Sequence, residues 1–192
     1  MLYLLPMEHE DEPPPPDCAW RLLTVCSDPE GNNGPLLNAI DALGDNLITA
    51  FDHQLRTITR LAATGKPWRE LIQDRGSLHD VGDIQITYPT GETRTEKLWQ
   101  FSHGQMRLLW CYGGGKKVLI LSHAMPKTSR KIKDSDREAA RQVMQEFVNS
   151  REAGNLKIIG DDDHERTLEK LFPKGAGESR VQKKSQDGRR LC

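Results

Sequence analysis

Three apolar runs, KLWQFS (97–102), MRLLWCY (106–112) and KVLILSHAM (117–125), follow one another with only HGQ and GGGK around their junctions. Strands joined by connectors this short lie antiparallel, because a parallel return needs a crossover of a dozen or more residues. Both connectors supply glycine for the positive φ that tight hairpins demand. Upstream, IQITYPTGETRT (84–95) reads as two further short strands around a Pro-Thr-Gly turn. The centre of the chain is therefore expected to be an antiparallel meander, and everything else must cover it.

Helical patterns flank the meander. In GDNLITAFDHQLRTITRLAATGKPW (44–68), Leu47, Ile48, Phe51, Leu55, Ile58, Leu61 and Ala62 recur at helical spacing. Asp45 is placed to cap the start, and Gly65 followed by Pro67 stops it. A short second helix is expected over 68–73. Downstream, Ser135 and Glu138 form a capping-box pattern ahead of Ala139, Ala140, Val143, Met144, Phe147 and Val148 on one face. The expected fold is α+β over 35–155: an N-terminal helical hairpin, a meander sheet and a closing C-terminal helix. Residues 1–34, with EHEDEPPPPD at their centre and a net charge of −6 from seven acids and one arginine, are expected to be a disordered acidic arm. Residues 156–192 read as a charged flexible tail, with LKII (156–159) as one more strand or a strap and a short helix at HERTLEKLF.

The formal net charge of −1 conceals a strong segregation. Lys97, Arg107, Lys116, Lys117, Lys127, Arg130, Lys131 and Lys133 fall within 97–133 with no Asp or Glu, a local +8 that leaves −9 for the remainder. Such asymmetry speaks to an anionic partner. The cysteines, Cys18, Cys26, Cys111 and Cys192, make no CxxC pair and no zinc-spaced cluster, which suits free thiols in a reducing compartment. The three successive aspartates at 161–163 lack a second ligand cluster and read as a solvated acidic turn. No metal or other cofactor is expected. No apolar run approaches the ~20 residues that span a bilayer, and MLYLL is too short for a signal h-region. A soluble, cytoplasmic protein without membrane contact is expected.

Hairpin pairing brings distant cations together. Pairing Tyr112 with Lys117 places Arg107 opposite Ser122 and next to His123. Pairing Ser102 with Met106 places Arg107 opposite Phe101 and close to His103. A slip of one residue changes the face of each side chain but not its end of the sheet. His103, Arg107, His123 and the acid-free 127–133 loop are thus expected at one end. There Lys127, Arg130, Lys131 and Lys133 suit the phosphates of single-stranded RNA. Each has a plainer reading. Arg107 can pair with Asp80, Asp83 or Glu96, His123 can be a hydrogen-bonded core histidine, and His103 a turn residue. The loop cations can be a solvated face.

In their order and spacing, KLWQFS, MRLLWCY, GGGK, VLILSHAMPKTSRKIK and DSDREAA resemble the RelE/HigB superfamily of bacterial and phage type II toxins, above all its HigB-like, phage-derived branch. That resemblance covers about 36–150. Gln100 stands where the branch carries Glu, Pro126 where it carries the first of two lysines, and Ile132 where proline is frequent. The resemblance implies a metal-independent, ribosome-dependent mRNA endonuclease, in which the 2′-hydroxyl attacks the adjacent phosphate. Arg107 and Arg130 would stabilise the phosphorane, and Lys127 or His123 would be the base or acid. His103, Lys131 and Lys133 would contact RNA. It also implies an antitoxin partner of helix-turn-helix type, besides mRNA and the ribosome. Two alternatives stay open: a non-enzymatic, ParE-like inhibitor of DNA gyrase, and a catalytically inactive phage RNA-binding or regulatory module.

Overall fold

A computed structural model describes residues 1–13, 17, 19–67, 78–115 and 117–173. The elements are β1 (Leu2–Pro6), β2 (Arg21–Cys26), α1 (Pro35–Asp41), α2 (Asp45–Ala63), β3 (Leu78–Thr87), β4 (Thr93–His103), β5 (Met106–Tyr112), β6 (Val118–Pro126), α3 (Asp134–Glu152), β7 (Leu156–Ile158) and α4 (His164–Leu171). All seven strands join one mixed sheet in the order β3-β4-β5-β6-β2-β1-β7. The fold class is α+β, as expected, and β3 to β6 form the antiparallel meander.

The expectation for residues 1–34 is corrected. Two of the seven strands come from that segment, β2 lying parallel to β6 and β1 antiparallel to β2. The physical reason lies in β6, whose VLIL run is buried on both faces. A strand apolar on both sides belongs inside a sheet, so it needs a neighbour beyond β5. The acidic, proline-rich stretch does not represent the whole segment, since Leu2, Leu4, Leu22, Leu23 and Val25 are all core residues. Residues 156–171 likewise supply β7, parallel to β1, and α4. The two strands also mean that no helical hairpin comes first. The helix expected over 68–73 lies outside the described residues, while the seven-residue α1 precedes α2.

Helices cover both faces. Leu36 of α1 and Phe51, Ile58 and Ala62 of α2 pack with Leu108, Trp110, Leu119 and Leu121. Val143, Met144, Phe147 and Val148 of α3 pack with Leu109, Cys111, Val118 and Ile120, joined at the margin by Leu168 and Leu171 of α4. Alternation along β5 and β6 thus divides one sheet between two cores. Neither long helix uses the expected cap: α2 starts after Gly44 and α3 after Lys133, without a side-chain cap bond. Glu138, free of the capping box, instead grips Arg141.

Both expected registers shift. Tyr112 pairs with Leu119 rather than Lys117, because Lys117 stays in the turn at φ 57° and gives its carbonyl to the Arg21 N–H. A bulge then inserts Ser122 between Leu121, opposite Trp110, and His123, opposite Leu109. Arg107 consequently faces Met125 on one side and Ser102 on the other. The bulge matters to the site because it turns His123 onto the α3 face, with the Ser122 hydroxyl bonded to the Leu109 carbonyl.

A cationic rim at one end of the sheet

The end of the sheet where β4 finishes, β5 starts and β6 leads into the 127–133 loop gathers His103, Arg107, His123 and the loop. They do not share one face. Arg107 and His123 alternate with the α3-side core residue Leu109. His103 instead follows Phe101 onto the α2 side, where its ring lies 6.1 Å from that of His53.

Arg107 is 2% exposed, and none of the expected carboxylates reaches it. Asp80 and Asp83 are held by Lys97 at 3.0 and 2.6 Å. The Arg107 guanidinium instead donates to three successive carbonyls of the loop. Nη1 bonds Lys131 O at 3.2 Å, and Nη2 bonds Ser129 O and, at 3.2 Å, Arg130 O. Its Nε finds no acceptor among the described residues. A planar fork with several donors suits this bridging role, which a lysine could not reproduce. Arg107 is therefore a strut beneath the loop, and its donors are not offered to solvent.

Lys127, Arg130, Lys131 and Lys133 are all exposed, and no carboxylate of the described residues pairs with any of them. Lys127 also borders an open groove of about 500 Å³, shared with Gly44, Asp45, Asn46, Leu47, Gln105, Pro126 and Thr128. The acidic segment at 8–12 does not neutralise the loop. Asp11 and Glu12 pair with Arg56 and Arg60 of α2, Glu8 lies 3.7 Å from Arg21, and buried His9 bonds Asp52.

His123 is half-buried, its Nε2 3.9 Å from Asp136 Oδ1 on the first turn of α3. That separation is longer than a direct hydrogen bond. Burial lowers the His123 pKa from its ordinary value, and the Asp136 charge opposes the shift without cancelling it. The imidazole is thus neutral near pH 7, able to accept a proton, with an acid beside it to stabilise the imidazolium. Close by on β4, Gln100 donates to the Ser102 hydroxyl, both buried.

Two residues escaped the linear reading. Asp136 looked like an ordinary helix-start acid, and only the bulge at Ser122 brings His123 opposite it. Arg137 lies over the β3 bulge, where a Cβ on Gly82 would come within 2.5 Å of its Nη1. Gly82 lies just ahead of the strand pattern read from 84, so no local pattern marked the bulge.

The residues define an α+β protein with a mixed sheet and an unneutralised cationic rim at one end. Comparison with family models, with curated proteins and with solved structures found no match to this chain. No described helix is long and apolar enough to cross a membrane. No described cluster of His, Cys, Asp and Glu is placed to hold a metal ion. Cys26 and Cys111 are buried free thiols, burial pushing Cys26 up to about 11 and Cys111 further.

Proposed function

We propose that the protein is a RelE/HigB-like toxin that binds mRNA at the 127–133 loop and cleaves it by 2′-hydroxyl attack. One observation carries the reading: four exposed cations without carboxylate partners among the described residues lie at the same end of the sheet as a half-buried histidine whose pKa is lowered by burial. His123 takes the 2′-hydroxyl proton as the 2′-oxygen bonds to phosphorus. The bond from phosphorus to the 5′-oxygen breaks, and Lys127 returns a proton to that leaving oxygen. The products are a 2′,3′-cyclic phosphate and a 5′-hydroxyl. Arg130 stabilises the phosphorane charge. Arg107 holds the loop instead of touching the phosphate, a change from the role the resemblance implied. Lys131 and Lys133 guide the backbone, and His103, on the other face, does not belong to the reacting group. An antitoxin and the ribosome complete the proposed partners, in the cytoplasm.

The order of helices, meander and closing helix between 35 and 152 supports the family reading, within a larger sheet. A second reading, a module that binds RNA without cutting it, is favoured by the burial of Arg107, which removes one phosphorane contact. A translating extract supplied with purified protein separates the two. Cleavage leaving 5′-hydroxyl ends, abolished in His123→Ala, supports the nuclease. Binding with intact RNA supports the module.

A further inference from the structure

The carbonyls of Ser129, Arg130 and Lys131 all converge on the Arg107 guanidinium. In a trans peptide the carbonyl of one residue and the N–H of the next point in opposite directions, and the described residues have no cis bond. The N–H groups of Arg130, Lys131 and Ile132 therefore point away from Arg107. None of them has an acceptor among the described residues, and neither do those of Ser129 and Lys133. The first-turn N–H groups of Asp134 and Ser135 continue the series at the start of the 19-residue α3. Beneath them lies a guanidinium almost wholly out of water, with no carboxylate of the described residues paired to it and an unmet Nε. The side chains of Arg130 and Lys131 are exposed.

We infer that the main chain of 130–132 is itself a phosphate site, in which Arg107 acts as the positioning residue by consuming the loop's carbonyls. Successive backbone N–H groups facing one way make a concavity for anions. The buried positive charge behind the aligned peptides adds to the field in the direction a phosphate oxygen approaches. This rests on the proposed function only for the ligand being RNA. The site's chemistry asks for a phosphate group, free or esterified. It also explains why Arg107 has no acid partner: a carboxylate at its side would take the donors that now orient the loop.

The test is an amide-resolved NMR titration of the full chain with inorganic phosphate, and separately with a short single-stranded RNA carrying a 2′-deoxy block against cleavage. Chloride at matched ionic strength is the control. Saturable shifts that are largest at the Arg130, Lys131 and Ile132 amides are expected with both ligands. Those amide shifts should persist, with weaker affinity, in a variant with Lys127, Arg130, Lys131 and Lys133 all changed to alanine. Arg107→Lys, which keeps the charge but cannot bridge three carbonyls, should weaken phosphate binding about tenfold or more. Should that variant fail to fold, the alanine variant still decides. Shifts confined to side chains, or amide shifts lost with the four cations, would overturn the inference. Cleavage of RNA without such shifts leaves the nuclease standing and sinks this site. Amide shifts without cleavage do the reverse.

Discussion

Removing residues 1–26 tests the architecture most severely, because that segment was expected to belong to a disordered arm and instead supplies β1 and β2. The deletion takes Leu2, Leu4, Leu22, Leu23 and Val25 out of the core, each no more than 3% exposed. Burying a side chain of that size stabilises by about 1.5–3 kcal/mol, so the five together contribute roughly 7–15 kcal/mol. That equals the whole net stability of an ordinary domain, about 5–15 kcal/mol. The deletion also strips β6 of its parallel neighbour and leaves its apolar run as an open edge, a template for aggregation. The 27–192 fragment should therefore be insoluble, or show neither a cooperative melt nor a dispersed amide spectrum. A fragment that melts cooperatively within a few degrees of the full chain would refute the placement of both strands.

Other expectations follow from single contacts. Gly34→Ala puts a Cβ against the Val25 carbonyl oxygen of β2, and overpacking of this kind should cost about 1–3 kcal/mol in a denaturant titration. Arg107→Met keeps the buried stem and loses only the carbonyl bonds, which can turn to water. It should cost at most about 2 kcal/mol, against about 3–5 kcal/mol for Arg107→Ala, with lower NMR backbone order parameters at 129–132 in both. His123 has a folded pKa below its unfolded one, so the unfolded chain takes up the proton first as pH falls. Stability should decline from about pH 6.5 downward until folded His123 also titrates, and His123→Gln should flatten that slope. Loss of His123 should slow RNA cleavage by about 10²–10⁴-fold. RNA affinity should fall with a log–log salt slope of about −3 if four phosphates are neutralised.

The meander was legible because hairpin-length connectors with glycine leave one topology, and because β4, β5 and β6 alternate or run apolar in the expected places. The closing helix was legible from its apolar stripe, although its start lies at Asp134 and not at a Ser135 cap. The N-terminal strands were not. LYLLP and RLLTVC are short, they flank an acidic proline run, and their burial depends on long-range pairing with β6 that no local pattern reveals. The site was legible by its end of the sheet and not by its faces. One residue in turn, Lys117, and one in a bulge, Ser122, decide whether His123 meets α3 or α2. Burial of Arg107 was equally invisible, because an arginine in an apolar strand reads as a ligand contact until the loop that covers it is in place.

The central claim is that the cationic rim and His123 cut RNA. The direct measurement is the 5′-end chemistry of an mRNA incubated with the purified chain in a translating extract, alongside His123→Ala. New 5′-hydroxyl ends paired with 2′,3′-cyclic phosphates, absent from the His123→Ala reaction, are the predicted result. Intact mRNA bound by the wild-type chain, or cleavage unaffected by loss of His123, would contradict the account.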